Sequence, residues 1–504
     1  MTLHKLFLIV MLLFAARGAA AQGSSFSLDA VTFSPSVYLT EAELQAAVAP
    51  YLGHPITFAD VQAMVADVQR LYTASGIVTA KVVLLPQTVV QSTLRLELVE
   101  AKVGQVLLDP LGGTRPAFVR SSLSLTPGRE PDYGQLERDL RIFEISHDFV
   151  PRLTFGPGLA FGTVDATVSG EVPKKFSWTA SLDNFGTADT GTARATLAGR
   201  IANLTGVRDT LSFQAQASQG SKMAAVGYSR PLGYRGGRLT ATASYTKSNV
   251  IFGTFAPLGI VSDTLQASVG YRRPFRVRPD SFLMFDASIV TEHGKSDLGV
   301  QGLQDTTIIE FVPQLSYSRT TGRHVLNATL GAKIGNADTI QTSETEGTYQ
   351  LIFGNISYAR RLGSFAVLEA SGTLQLAPGQ NLPVPRLISA GGPTSVRGYP
   401  NNVRSGDSGL ILRAQLSKQV PWQPSPNIQI TPFGFLDAAL IVPYRPDGSI
   451  NADQDVLYSA GAGGRFDFGN RWSMLAMVGV PLKETLGFTD TGKAQFYAGL
   501  DFKF

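Results

Sequence analysis

The chain contains no cysteine, which excludes disulfide frameworks, thiolate metal sites and cysteine nucleophiles together. Its five histidines, His4, His54, His147, His293 and His324, lie far apart and in no ligand spacing, so no metal centre is expected. Charge is also scarce: Asp, Glu, Lys and Arg make up 16% of the 504 residues, against roughly a quarter in an average soluble domain. Yet no apolar run of about 18 residues occurs, so a helical membrane protein is excluded. A mean hydropathy of +0.07 is too apolar for a disordered chain.

The net charge of +4 divides unevenly. Gln22–Lys175 carries 12 basic and 16 acidic residues and Phe176–Phe504 carries 29 and 23. Neither part has the dense basic stripe of a nucleic-acid binder, and no nucleic-acid partner is expected. Catalytic signatures are equally thin. Gly406-Asp407-Ser408-Gly409 matches the tetrapeptide around a serine-protease nucleophile but has no histidine placed to serve it. Gly461-Ala-Gly463-Gly464 fits a dinucleotide fingerprint poorly and falls within a strand, where small residues mark close packing or a constriction. No enzymatic activity and no cofactor are expected.

Residues 1–21 have the form of a secretory signal peptide. Lys5 supplies the positive end, Leu6–Ala16 an apolar stretch too short to span a bilayer, and Ala19-Ala20-Ala21 a small-residue cleavage site. Residues 22–102 then read as a small α+β domain. A strand covers Phe26–Phe33, and Thr40-Glu-Ala-Glu43 is a capping box that opens a helix to about Leu52. Thr57 begins a second helix with Val61, Met64, Val65, Val68 and Leu71 on one face, and Gly76 ends it. Strands Thr79–Leu85 and Thr93–Val99 follow. Residues 103–175 repeat the order more briefly: a strand at Gly104–Leu108, helices near Pro116–Leu123 and Tyr133–Ser146, and strands at Arg152–Phe155 and Thr163–Val168.

From Phe176 the hydrophobic period changes to two and stays there. Sixteen alternating segments run from 176–184 to 493–504, among them 263–275, 281–294, 304–321 and 323–335. Connections on one side are short (Leu204–Arg208, Gly322, Gly363–Ser364, Asn470), whereas those on the other include 249–262, 295–303, 336–346, 379–407 and 443–454. This is the pattern of an all-β transmembrane barrel of about 16 antiparallel strands. The last segment assigns the faces, with Phe496, Ala498, Leu500, Phe502 and Phe504 toward lipid and Tyr497 on the opposite side. In segment thirteen Phe433, Phe435, Asp437 and Ala439 share a face, and since an Asp cannot cheaply face lipid, that face is inward. A soluble β-sandwich or propeller is the rival reading; its interior would be more continuously apolar than Thr240, Thr242, Ser244 and Thr246 opposite Leu239, Ala241, Ala243 and Tyr245.

Three stretches carry a resemblance. Tyr72-Thr-Ala-Ser-Gly76-Ile-Val-Thr-Ala-Lys-Val-Val-Leu-Leu-Pro-Gln87 with Leu94-Arg-Leu-Glu-Leu-Val-Glu100 resembles POTRA modules, so residues 22–102 and 103–175 are expected to be two of them. Ser389-Ala-Gly-Gly-Pro-Thr-Ser-Val396-Arg397-Gly398-Tyr399-Pro400 resembles the inward-folded loop of POTRA-bearing outer-membrane transporters and insertases, which places such a loop at 379–407 within the barrel 176–504. Phe435-Leu-Asp437-Ala-Ala439 stands where that superfamily has a Phe-x-Asp-x-Gly motif that locks the loop, with the final Gly replaced. Leu182-Asp183-Asn184-Phe-Gly186 with Gly191, and Asn203-Leu-Thr-Gly-Val-Arg-Asp209, add support. Two modules and about sixteen strands resemble the two-partner secretion transporters of the haemolysin secretion/activation type.

That resemblance implies an outer-membrane pore whose N-terminal domains lie in the periplasm, capture an unfolded secreted exoprotein and pass it to the cell surface or exterior without ATP. An extended peptide could add to a module's exposed sheet edge. The implied partners are that exoprotein, outer-membrane lipid, and the barrel assembly machinery that reads a terminal aromatic such as Phe504. Arg397 and Asp437 become the gating pair, Val396, Gly398 and Tyr399 shape the loop tip, and Phe435 sits beside the lock. Only about Gln22–Ser25 is left for the plug helix many such transporters carry. An insertase for other barrels, usually with more modules, is the alternative; a passive porin would give the N-terminal modules no role.

Overall fold

The computed structural model describes residues 25–299, 301–340, 347–421, 427–485 and 491–504. The expected signal peptide, 1–21, lies outside the described residues. Internal contacts divide the chain into two units. One takes the described residues up to Asp109 with Ser124–Leu136 and Arg152–Ser169; the other takes Pro110–Leu123, Glu137–Pro151 and Gly170–Phe504.

In the first unit, helix Glu41–Val48 opens on the expected capping box, Thr40 and Glu43 each accepting from the other's backbone N–H. Helix Phe58–Ala74 opens on another, Thr57 with Asp60, which sequence reading passes over because Asp replaces the usual Glu or Gln. Val61, Met64, Val68 and Tyr72 of this helix are buried, with Val65 and Leu71 packed at the margin. The expected strand over Phe26–Phe33 is divided. Phe26–Ser27 pairs with Pro55–Ile56, while Ala30–Phe33 runs parallel to Thr93–Glu100; between them Leu28 turns fully into the core. Ala80–Val83 completes the sheet on the other side of Thr93–Glu100. The Glu100 carboxylate accepts from Ser36 Oγ (2.5 Å), Val37 N–H (2.7 Å) and Tyr72 Oη (2.8 Å), tying the strand end to the helix. A second sheet has the order Lys102–Leu108, Thr163–Gly170, Pro151–Pro157.

The second unit is dominated by a closed antiparallel barrel. Its strands are β1 (Phe176–Asp183), β2 (Arg194–Ala202), β3 (Thr210–Ala217), β4 (Ser221–Pro231), β5 (Arg238–Asn249), β6 (Ile260–Val277), β7 (Ser281–Leu298) and β8 (Gln301–Thr320). They continue as β9 (His324–Ile340), β10 (Gly347–Leu362), β11 (Ala366–Leu376), β12 (Ser408–Lys418, extended by Val420–Pro421), β13 (Ile428–Val442), β14 (Val456–Phe468), β15 (Trp472–Pro481) and β16 (Gln495–Lys503). The count of sixteen agrees with the sequence pattern. Closure is made by β16 against β1, from Gly499↔Asp183 to Lys503↔Thr179. Asn184 reinforces this seam: its Nδ2 donates to Phe496 O and its Oδ1 accepts from Ala498 N–H.

Alternation sorts the faces. Large apolar side chains such as Val269, Ile289, Ile309, Leu330, Leu436 and Phe496 are exposed on the outer wall, while the buried Glu310, Asp437 and Tyr497 belong to the opposite parity. At the rim where the chain enters β1, Trp178, Trp472, Phe502 and Phe504 form an aromatic cluster, with Trp472 and Phe502 4.3 Å apart and Trp178 stacked on Phe504. Such girdles mark the interfacial edge of membrane barrels. Strands β6 to β9 run further at the far rim than the apolar alternation indicates. Polar cross-strand pairs sustain the extension: Asp263↔Lys295, Lys295↔Asp305, Ser262 to Ser296 (2.8 Å) and Thr306 to Thr339 (3.2 Å). Hydrophobic period therefore underestimates these strands, because their last residues stand beyond the apolar band.

Segments 110–123 and 137–151 of the same unit are clasped to the near rim. Asp148 accepts from Arg208 Nε (2.6 Å) and Arg200 Nη2 (3.0 Å), Asn203 Nδ2 donates to Gly112 O (3.1 Å), and Arg238 Nη1 donates to Ser146 O (2.9 Å). Asn203 and Arg208, both in the sequence motif 203–209, adopt positive φ (55° and 61°), the left-handed turn that aims them. His147 packs on Phe143 at 4.4 Å and lies 3.2 Å from Arg238 Nη1. Burial, then the Arg238 and Arg208 charges, push its imidazole down from 6.5 to about 3. The folded ring stays neutral where an unfolded one would charge, so its contribution is complete above pH 6.5 and declines below it, by about 2 kcal/mol at pH 5. The melting temperature of the parent protein should fall between pH 7 and pH 5, and His147→Gln should lose most of that pH difference.

Candidate functional site

Between β11 and β12 the segment 377–407 turns into the barrel. Val384–Arg386 is a 3-10 turn, and Ile388–Ala390 pairs antiparallel with Arg404–Gly406, so the segment is a root followed by a hairpin. The root is held by an ion pair inside an apolar seal. Arg386 donates through Nε to Glu310 (2.6 Å) and through Nη1 to Glu292 (2.9 Å), and Tyr349 Oη donates to Glu310 (2.8 Å). Ile308, Tyr349, Leu351, Ala377 and Leu382 cover it. The hairpin base is held by Asp455, which accepts from Arg404 (2.6 Å), from Arg445 (2.6 and 2.9 Å) and from Asn451 N–H (2.8 Å). Burial alone would raise this carboxyl, but these donors outweigh it and hold it at about 2. Asp407 accepts from Leu382 N–H and Tyr444 N–H at 2.6 Å, and Ser408 Oγ accepts from Ala377 N–H. The protease-like tetrapeptide is thus a loop clamp.

All six residues singled out from the sequence meet at the tip. Arg397, 2% exposed, forms a bidentate pair with Asp437 of β13: Nε to Oδ2 and Nη2 to Oδ1, both 2.8 Å. Its backbone N–H adds a third bond to Oδ2 (3.0 Å). The guanidinium lies over the Phe435 ring at 3.5 Å, and Nη1 donates to Gln415 (2.8 Å). Planar stacking together with fork geometry is a task only Arg performs. Gly398 N–H donates to Tyr497 Oη (3.0 Å), which in turn donates to Tyr399 O (3.1 Å). Tyr399 Oη reaches Tyr458 O and Lys483 O (3.0 and 2.7 Å). Val396 and Tyr399 join Ile388, Ala390, Ile411, Ala439, Ile441 and Leu457 in a buried apolar cluster.

Ala439 stands at the position where the resemblance has a glycine. Ala439 packs into that cluster, and the close backbone approach occurs two strands further on, at Gly479 of β15. A Cβ on Gly479 would lie 2.6 Å from Gly398 N, and one on Gly398, itself at φ +100°, 2.9 Å from Val480 N. Gly461 and Gly463 of β14 similarly seat the rings of Phe435 and Phe433. The tip also docks on the motif following β1, where Asn401 Nδ2 donates to Phe185 O and Gly186 O (2.9 and 2.8 Å). Sequence reading missed Arg386, Glu292, Glu310, Gln415, Asp455, Gly479 and Tyr497 as loop partners. The inward parity of Glu292 and Glu310 in otherwise alternating strands was the available signal.

Known proteins resemble this chain at three levels. The family described as haemolysin secretion/activation protein ShlB/FhaC/HecB matches residues 162–466, and the ShlB-type POTRA domain matches residues 26–101. The heme/hemopexin transporter protein HuxB of Haemophilus influenzae is 26% identical over 201 residues, which is 39% of this chain and 35% of HuxB. The matched stretch therefore spans about a third of that relative's length. Among solved structures, CdiB from Escherichia coli aligns with a TM-score of 0.73 at 18% identity, covering 97% of this chain and 92% of its own. CdiB from Acinetobacter baumannii gives 0.67 at 16% identity, covering 96% and 91%. BamA from Haemophilus ducreyi, lacking POTRA domains 1–3, gives 0.58 at 14%, covering 95% and 100%. These structures share the fold.

Gly479→Ala should displace the tip, since the new methyl meets backbone. Overpacking of this kind costs about 1–3 kcal/mol. The expected result is a raised conductance of the purified protein in planar bilayers with the folded barrel's gel mobility unchanged.

Proposed function

The chain belongs to the haemolysin secretion/activation protein family ShlB/FhaC/HecB, and from that premise we propose that it carries an unfolded exoprotein from the periplasm through its barrel to the cell surface or exterior. The barrel resides in the outer membrane with the N-terminal region in the periplasm. Residues 22–102 and 103–175 are two capture modules, and 176–504 is the pore. The exposed apolar outer wall and the aromatic rim are the surfaces that meet lipid, and Phe504 is the residue presented to the barrel assembly machinery. No step uses ATP; folding of the exoprotein outside supplies direction.

The Arg397–Asp437 pair carries this reading. A guanidinium and a carboxylate, both buried, hold the loop tip to β13 inside the barrel, and a passage for polypeptide requires that tip to leave. The lock is therefore the gate, with Val396, Gly398 and Tyr399 fitting the tip to the wall and Phe435 the platform beneath Arg397. Breaking a buried pair by removing one partner costs about 3–5 kcal/mol, so the closed state loses a factor of about a hundred or more. Arg397→Ala should raise bilayer conductance and lower export of the secreted exoprotein partner, with the barrel still folded. Normal export from a folded Arg397→Ala protein would falsify the gate. Depletion separates the insertase reading: a transporter's loss removes one exoprotein, an insertase's loss lowers outer-membrane proteins broadly.

A further inference from the structure

The lock has a third member that belongs to the wall. Arg413 of β12 stands directly across the ladder from Asp437 of β13, and both side chains take the lumen-facing parity. Arg397 supplies Asp437 with three donors, two of them on Oδ2, and Arg413 stands further off. Its Nε lies 3.8 Å from Asp437 Oδ1 and, although buried, makes no hydrogen bond. Its Nη1 instead donates to Thr394 O of the loop tip (2.9 Å). Two guanidinium groups thus face one carboxylate, and only Arg397 hydrogen-bonds it. A cavity of about 330 Å³ adjoins them, lined by Asn327, Glu369, Ser371, Arg397, Arg413 and Gln415, so a side-chain swing of Arg413 meets no packed wall.

Resting on the gate reading above, we propose that Arg413 is the exchange partner of Asp437. When the loop withdraws, Arg397 leaves and Thr394 O goes with it, which frees Arg413 at the moment the carboxylate loses its donors. A small rotation then closes the remaining gap, and Arg413 forms the charge-assisted bond that Arg397 gave up. The closed state satisfies the loop's arginine and the open state satisfies the wall's. Arg413 is therefore a positioning residue that favours the open gate, opposite in sign to Arg397. A mere tether through Thr394 O would favour the closed gate, so the two roles differ in the direction of the effect.

The test is single-channel recording of the purified full chain in planar bilayers, with folding checked by heat-modifiable gel mobility. Arg413→Gln should lower the open probability by about tenfold or more, the loss of a hydrogen bond to a charged group. Arg413→Lys, which keeps the charge, should stay near the parent value, and it serves as the informative variant if the Gln form does not fold. In an Asp437→Asn background, Arg413→Gln should change nothing further. An open probability that rises with Arg413→Gln, or that falls equally with and without the Asp437 carboxylate, overturns the exchange. An Arg397→Ala control that leaves conductance unchanged overturns the gate itself, a result distinct from either.

Discussion

Everything in the barrel follows from the rule that a backbone N–H or C=O facing hydrocarbon must find a partner within the protein. A sheet obeys it only by closing on itself, which here means β16 meeting β1 over a short ladder, with Asn184 adding two bonds at the seam. Closure at sixteen strands creates a lumen too wide for wall side chains to fill. The chain fills part of it with its own loop, and that loop brings polar groups into a confined space where each needs a counterpart.

The counterparts are arranged as three arginines against acids drawn from separate places. Arg386 meets Glu292 and Glu310 of β7 and β8, Arg397 meets Asp437 of β13, and Arg404 meets Asp455 ahead of β14. The root pair is sealed by its own apolar cluster, and the tip packs in another. Root and tip are consequently separate attachments. The tip's seat depends as much on absent side chains as on charge. Gly398 against Gly479, and Phe435 and Phe433 over Gly461 and Gly463, let backbone and ring approach a wall that any Cβ would push away.

Much of this was legible in the sequence, because the features concerned are local or periodic. Thr40 and Glu43 announce a helix start three residues apart, and the period of two from Phe176 assigns a face to each strand residue without knowledge of its neighbours. The inward placement of Asp437 followed from the cost of a carboxylate in lipid. Strand ends at the far rim were less visible, since polar ladders such as Asp263↔Lys295 carry no apolar alternation.

By itself, then, the sequence determined the sixteen strands and their two faces, and it singled out the six residues that meet at the loop tip. Tertiary structure alone decided the pairings between distant positions: Arg386 with Glu292 and Glu310, Arg404 with Asp455, Gly398 with Gly479, and Arg413 beside an Asp437 already occupied. Period two states which side of the wall a residue takes but carries no term for which residue stands opposite across the lumen. That depends on where the loop re-enters the barrel and how deep it reaches, and these are set by the closed ring as a whole.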